Sequence, residues 1–213
     1  MSSANRLVGD SVADSRHWVF DMDGTLTEPV HDFSLIRREL GIPPEADILQ
    51  HLAGLPAPHA AEGHAWLMQH ERALAAVATP ASGAVALVHA LHDAGCRLGI
   101  LTRNARELAQ VTLAAIGLEQ CFAADEIVGR WEVEPKPSPA GLRFFVERWA
   151  VDPSAMRMVG DHYYDLATAQ AAGVPGVLVN QPGDPWPGMA RWQLRDCSEL
   201  LECWNNSSEL IAR

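Results

Sequence analysis

Three times along this chain a short apolar run breaks off abruptly into polar residues. His17-Trp18-Val19-Phe20 runs into Asp21-Met22-Asp23-Gly24-Thr25, Arg97-Leu98-Gly99-Ile100-Leu101 into Thr102, and Met156-Arg157-Met158-Val159 into Gly160-Asp161. Such runs read as buried strands opening into loops, and Val177-Leu178-Val179-Asn180 reads as a fourth. Helical patterns separate them. Gly83 to Ala94 stops at Gly95, and Asn104 to Ile116, with Asn104 and Glu107 spaced as a capping box, stops at Gly117. A third helix opens at Ser138-Pro139, carries Leu142, Phe145, Val146 and Trp149 on one face, and ends before Asp152-Pro153. Strand and helix therefore alternate, and the strands are nearly continuous in apolar character. That pattern predicts an α/β fold, a parallel sheet covered by helices on both faces. The tail closes with Trp192-Gln193-Leu194 as an edge strand and Ser198 to Trp204 as a short helix.

Residues 28–82 break the alternation. They hold no strand pattern but three helical stretches, near Phe33 to Leu40, Pro44 to Ala53 and Ala60 to Ala78, the first two closed by Gly41 and Gly54. The expected organisation is a core of residues 1–27 and 83–213 interrupted by a small helical insert, 28–82. Within the insert, Trp66, Leu67, Leu74 and Val77 read as packing residues. Arg37 and Arg38 read as a solvated helix face, and the five histidines of the segment as surface residues without metal-ligand spacing.

Charge narrows the choice of partners. Sixteen Lys plus Arg against 27 Asp plus Glu give a net charge of −11, and no basic cluster exists to release counterions from a nucleic acid. The residues up to Trp18 are polar and charged, unlike a signal peptide, and the alanine-rich stretch from Ala73 to Leu91 is too interrupted for a membrane span. Cys96, Cys121, Cys197 and Cys203 form no Cys-x-x-Cys pair, which fits reduced thiols better than zinc or a disulfide framework. A cytoplasmic protein is expected, a monomer or small homo-oligomer, without nucleic-acid or membrane partners.

Open α/β sheets build their sites from polar groups at the C-terminal ends of strands. Here those ends supply Asp21 and Asp23, then Thr102, then Asp161 with Asp165 four residues on; the loop Pro135-Lys136-Pro137 adds an ammonium. So many carboxylates around one spot would repel one another without a divalent cation, and hard oxygen donors suit Mg²⁺. A metal, a lysine and a hydroxyl together point to a phosphoryl group. Taken singly, each has an ordinary explanation: an Asp near a strand end commonly serves a turn or cap, Thr102 suits a strand, and Gly160-Asp161 suits a turn. Lys136 stands apart, because every other basic side chain among the sixteen is arginine. A compact point charge between two prolines reads as a requirement of that position, with a chance surface lysine as the alternative.

In order, Phe20-Asp21-Met22-Asp23-Gly24-Thr25-Leu26-Thr27, Leu101-Thr102-Arg103-Asn104, Lys136-Pro137 and Gly160-Asp161-His162-Tyr163-Tyr164-Asp165 resemble the four motifs of the haloacid dehalogenase-like hydrolase superfamily. The resemblance covers the chain except its first dozen residues, and residues 28–82 fall where that family inserts a helical cap. It implies a Rossmann-like core and a Mg²⁺-dependent phosphomonoester hydrolase acting on a small phosphorylated metabolite through an aspartyl-phosphate. Asp21 would be the nucleophile and Asp23 the general acid and base. Asp21, the Asp23 main-chain carbonyl and Asp161 would hold Mg²⁺. The Thr102 hydroxyl, an N–H such as that of Arg103, and Lys136 would bind the phosphoryl group. Asp165 would orient Lys136 or a metal-bound water.

The motif residues separate the reactions such proteins perform. An intact Asp21-x-Asp23 points to phosphoryl transfer rather than dehalogenation, and a cap without lysine has no group for a Schiff base. A phosphosugar mutase and a non-catalytic phospholigand-binding protein stand as the alternatives. A signalling receiver domain also gathers acidic residues, Thr and Lys, but there the lysine comes last, whereas Lys136 precedes Asp161 and Asp165. The small cap and motif variants look most like the phosphoglycolate phosphatase-like members. His162 and Glu28-Pro29 depart from the usual residues at their positions and bear on the mouth of the site.

Overall fold

The computed structural model describes residues 11–211. The reading of the N-terminus as something other than a signal peptide falls largely on residues 1–10, outside the described residues. In chain order the elements are β1 (His17–Phe20), α1 (Phe33–Glu39), α2 (Ile48–Ala53), α3 (Ala57–Ala75), α4 (Ala84–Asp93), β2 (Arg97–Leu101), α5 (Arg106–Ala115) and β3 (Ile127–Val128). They continue as α6 (Ala140–Trp149), β4 (Met156–Gly160), α7 (Tyr163–Ala172), β5 (Gly176–Leu178), β6 (Trp192–Gln193) and α8 (Cys197–Ile211).

The six strands form one parallel sheet in the order β3-β2-β1-β4-β5-β6. Strand side chains alternate between its faces, and the core divides accordingly. Trp18 and Phe20 of β1 pack with Leu87 and Leu91 of α4, Leu113 of α5 and Leu200 of α8. Val19, pointing the other way, joins Leu142, Phe145 and Trp149 of α6 and Ala169 of α7. Both faces are covered, as continuous apolar strands require.

β3 was not visible in the sequence, because two residues carry no periodicity; it pairs with Ile100 and Leu101 at the sheet edge. α5 begins two residues later than its sequence pattern and lacks the expected capping box, its first turn following Ala105 with no side-chain cap. The Asn104 amide is turned instead to Asp23. α6 likewise starts at Ala140, preceded by Pro139, while Ser138 Oγ accepts the Ala140 N–H.

The chain leaves the sheet after Thr27, which bridges to Pro80, and Glu28 N–H and Ala81 N–H close the two passing segments through Thr79 and Leu26 carbonyls. Between them lie α1, α2 and α3, with a small core of their own formed by Ile36, Ile42, Leu52 and Leu67. Asp32 and Asp47 cap α1 and α2, accepting from Leu35 and Gln50 N–H, which is why α2 starts at Ile48 and not at Pro44. α3 starts a turn earlier than expected, since Pro56 and Pro58 suit the first turn of a helix. Leu67 is buried as expected. Val77, read as a packing residue, is 71% exposed, because α3 has ended before it. All four cysteines are free and three are buried. Among the described residues no helix is long and apolar enough to cross a membrane.

Candidate active site

The sheet order fixes where a site can form. From β1 the chain builds outward through β2 and β3 on one side, and through β4, β5 and β6 on the other. Connections running in opposite directions leave a crevice beyond the C-terminal ends of β1 and β4. Asp21 and Asp23 follow β1, Asp161 follows β4, Thr102 follows β2 and Lys136 lies in the loop after β3. All five, with Asp165 and Arg103, line one cavity of about 340 Å³ whose far wall is α1, α2 and α3. The structure thus brings together every residue singled out at the strand ends.

Lys136 is the hub. Its Nζ lies 2.6 Å from Asp21 Oδ1 and 2.6 Å from Asp165 Oδ1, with all three side chains buried. Burial opposes the ammonium charge, but the Asp165 and Asp21 carboxylates outweigh it and raise the Lys136 pKa, keeping it protonated. The second Asp165 oxygen accepts the His162 N–H at 3.0 Å, so Asp165 is occupied on both sides. Gly160 allows this approach: a Cβ there would fall 2.3 Å from the Asp165 side chain.

Carboxylate oxygens of Asp21, Asp161 and Asp165 lie within 4.8 Å of one another. Three carboxylates face a single ammonium, and the imbalance registers in their titration. Burial, then the Asp165 charge, pushes Asp21 well above the usual carboxylate range, and the same two causes push Asp161 up to about 6. The Thr25 hydroxyl donates to Asp161 Oδ1 at 3.0 Å, and the other Asp161 oxygen packs against Gly24. Gly24 has φ +82°, and a Cβ would stand 2.4 Å from Asp161 Oδ2, so this turn tolerates only glycine. With Asp165 engaged by Lys136 and His162, Asp21 and Asp161 are the carboxylates left to meet a hard divalent cation, and the donor set fits Mg²⁺.

Asp23 is held by two residues that sequence reading missed. Asn104 Nδ2 donates to Oδ2 at 2.7 Å, and His31 Nε2 meets Oδ1 at 3.2 Å. The His31 side chain is only 8% exposed, which corrects its reading as one of several surface histidines. Burial disfavours its charge, but the bond to Asp23 together with the Asp23 and Glu71 charges outweighs burial and raises its pKa. The Asn104 signal was masked by its helix-cap spacing, and His31 had no signal beyond nearness to Asp23 in the chain. Thr102 Oγ1 accepts the Asn104 N–H at 3.0 Å, leaving the hydroxyl proton to donate.

Side chains from the helical segment complete the walls. Arg103, expected to contribute its main-chain N–H, sends its side chain to Asp47 Oδ2 at 2.6 Å and to the Lys136 carbonyl at 2.6 Å. Arg130 makes a bidentate pair with Glu71 of α3 at 2.9 and 2.6 Å, both residues buried. Arg38 is exposed as expected. Arg37 is not on a solvated face; it is half-buried and lines the cavity, because its guanidinium folds back to the Ala46 and Phe33 carbonyls.

Comparison with known proteins places this architecture. A phosphoglycolate phosphatase from Rhodospirillum rubrum is 39% identical over 98 residues, 46% of this chain and 40% of that protein, so the match spans well under half of that relative's length. A phosphoglycolate phosphatase from Caulobacter vibrioides is 30% identical over 205 residues, covering 84% of this chain and 83% of that one. The crystal structure of a hydrolase from Pseudomonas syringae superposes with a TM-score of 0.73 at 21% identity, over 89% of this chain and 98% of its own. The family model for haloacid dehalogenase-like hydrolases matches residues 16–173, and with these relatives it shows that the chain belongs to that family.

Proposed function

We propose that the protein is a Mg²⁺-dependent phosphomonoester hydrolase that acts on a small phosphorylated metabolite through an aspartyl-phosphate on Asp21. The observation that carries this reading is the Asp21–Lys136–Asp165 chain beside Asp161, at the sheet's switch point, in a member of this hydrolase family. The relatives named phosphoglycolate phosphatase support a small substrate.

In this reading residues 28–82 form a cap over the core, excluding water from the cavity during transfer. Asp21, the Asp23 main-chain carbonyl and Asp161 would hold Mg²⁺. Bound there, the ion would neutralise charge on the phosphoryl oxygens and on the attacking carboxylate. Lys136, fixed by Asp165, keeps the Asp21 carboxylate in place and adds positive charge beside the phosphoryl group. Thr102 and the Arg103 main-chain N–H donate to phosphoryl oxygens. An Asp21 oxygen attacks phosphorus, the bond from phosphorus to the leaving oxygen breaks, and Asp23 gives that oxygen its proton. In the second half Asp23 takes a proton from water as the water oxygen attacks phosphorus and the Asp21–phosphorus bond breaks. Asn104 and His31 hold Asp23 in position for both proton transfers.

The test is phosphate release from a panel of small phosphomonoesters with Mg²⁺ or EDTA. Release should require the metal, and Asp21→Asn should lower kcat by at least about a thousandfold, roughly 4 kcal/mol of transition-state stabilisation. A loss of less than about tenfold in the mutant contradicts the assignment. Absence of release from any ester by the folded wild type contradicts hydrolysis and favours a mutase or a phospholigand binder.

A further inference from the structure

The fourth apolar run, Val177-Leu178-Val179, ends like the other three in a polar residue, Asn180, that phosphoryl transfer does not use. The main chain there is pinned on two sides: Val179 N–H donates to the Gly160 carbonyl and Asn180 N–H to the Arg195 carbonyl, each at 3.0 Å. Asn180 takes φ +59°, in the left-handed region, where asparagine is better tolerated than most residues bearing a side chain. Because β4 lies between β5 and β1, its amide reaches across the end of β4. Nδ2 donates to the Gly24 carbonyl at 2.8 Å and to the Thr25 carbonyl at 3.2 Å. The next residue, Gln181, donates from Nε2 to the Asp161 carbonyl at 2.8 Å. Two adjacent carboxamides thus grip the two loops that carry Asp21, Asp23 and Asp161.

A second set of contacts closes the same unit. The hydroxyl of Thr25, whose carbonyl Asn180 holds, donates to Asp161 Oδ1 at 3.0 Å, and Gly24 packs without room for a Cβ against Asp161 Oδ2. The chemistry of the grip matters as much as its place. Oxygens of Asp21, Asp161 and Asp165 lie within 4.8 Å of one another, and their repulsion pushes these loops apart. A lysine or arginine in the same place would pair with the carboxylates and compete with a cation for them. A neutral amide bonded to main-chain carbonyls resists the repulsion and leaves the carboxylate oxygens free. Neither Asn180 nor Gln181 lines the cavity, so both act through the loops they hold.

We propose that Asn180 and Gln181 are positioning residues for the divalent cation, a clamp that keeps the turn after β1 and Asp161 at the spacing a small octahedral ion requires. This assignment rests on the reading of Asp21, the Asp23 main-chain carbonyl and Asp161 as Mg²⁺ ligands. The clamp sets selectivity as well as affinity. Mg²⁺ demands near-ideal geometry, whereas the larger Ca²⁺ accepts a looser set of oxygens, so slack between the two loops costs Mg²⁺ more.

The test is calorimetric titration of the EDTA-treated, substrate-free protein with Mg²⁺ and with Ca²⁺, on the wild type, Asn180→Gly and Gln181→Met. Glycine accepts the left-handed backbone and removes only the amide, and methionine keeps the length of Gln181 without its donor. The Mg²⁺ Kd should rise by about tenfold or more in Asn180→Gly and by at least about threefold in Gln181→Met, the scale of loss when groups that orient metal ligands are removed. Ca²⁺ affinity should fall less than Mg²⁺ affinity in both variants, a change in selectivity that general loosening of the fold would not produce. A Mg²⁺ loss below about threefold in either variant, or equal losses for the two ions, overturns the clamp while leaving the cation site standing. Failure of the wild type to bind Mg²⁺ overturns the metal reading beneath it.

Discussion

Lys136 is the chain's only lysine, and its surroundings account for that. Its Nζ sits 2.6 Å from an oxygen of each of two buried carboxylates, a gap that suits a compact ammonium and would not admit a planar guanidinium without rearrangement. Asp23 is placed differently, with Asn104 on one oxygen and His31 on the other. That environment suits a proton carrier. Asp23→Asn keeps the shape but removes the transferable proton, so it should slow esters with poor leaving groups by about a hundredfold or more, and aryl esters with good leaving groups much less. Steady-state rates across a leaving-group series check this. Equal losses throughout the series would make Asp23 a structural residue.

At the scale of elements, the helical segment is tied to the sheet side by two carboxylates, Asp47 on Arg103 and Tyr164, and Glu71 on Arg130. The second pair is the more deeply buried, its side chains 2% and 7% exposed. Glu71→Gln would leave the Arg130 guanidinium buried without its counter-charge. It should lower unfolding stability by about 3 kcal/mol, read from the shift of the urea midpoint at unchanged slope. A loss below about 1 kcal/mol would mean that water reaches Arg130 and solvates it. These ties were the least legible part of the sequence. The catalytic aspartates and Thr102 could be read because they follow apolar runs that had to be buried strands, and parallel order brings such ends together, whereas Lys136 was legible as the chain's only lysine. Asp47 and Glu71 lie on helices whose periodicity says which face is apolar, not which residue across the cavity a polar side chain will meet. The same reasoning placed Arg37 on the solvent side, because the helix pattern could not show its fold-back to Ala46. Asn104 was misread for a related reason, its cap-like spacing being a local signal overridden by the distant Asp23.

For the whole molecule, the sheet order concentrates negative charge at one point. Asp21, Asp161 and Asp165 converge, and among the described residues the ion pairs to them come from Lys136, in a chain whose net charge is already −11. The fold therefore carries electrostatic strain at neutral pH that a divalent cation would relieve. Because a cation held by these carboxylates would bind only the folded arrangement, Mg²⁺ should raise Tm, increasingly with concentration above its Kd. Asp161→Asn should abolish most of that gain, and Asp165→Asn, which removes a group already committed to Lys136, should leave more of it. Differential scanning calorimetry with and without EDTA measures both. No Tm response to Mg²⁺ at millimolar levels would argue against a metal site between Asp21 and Asp161.

The account stands most directly on covalent chemistry at Asp21. Rapid acid quench during turnover, followed by proteolysis and mass spectrometry, should find one phosphoryl group on the peptide containing Asp21 in the wild type and none in Asp21→Asn. Turnover without any phosphorylated peptide, or a phosphoryl group on another residue, would contradict it.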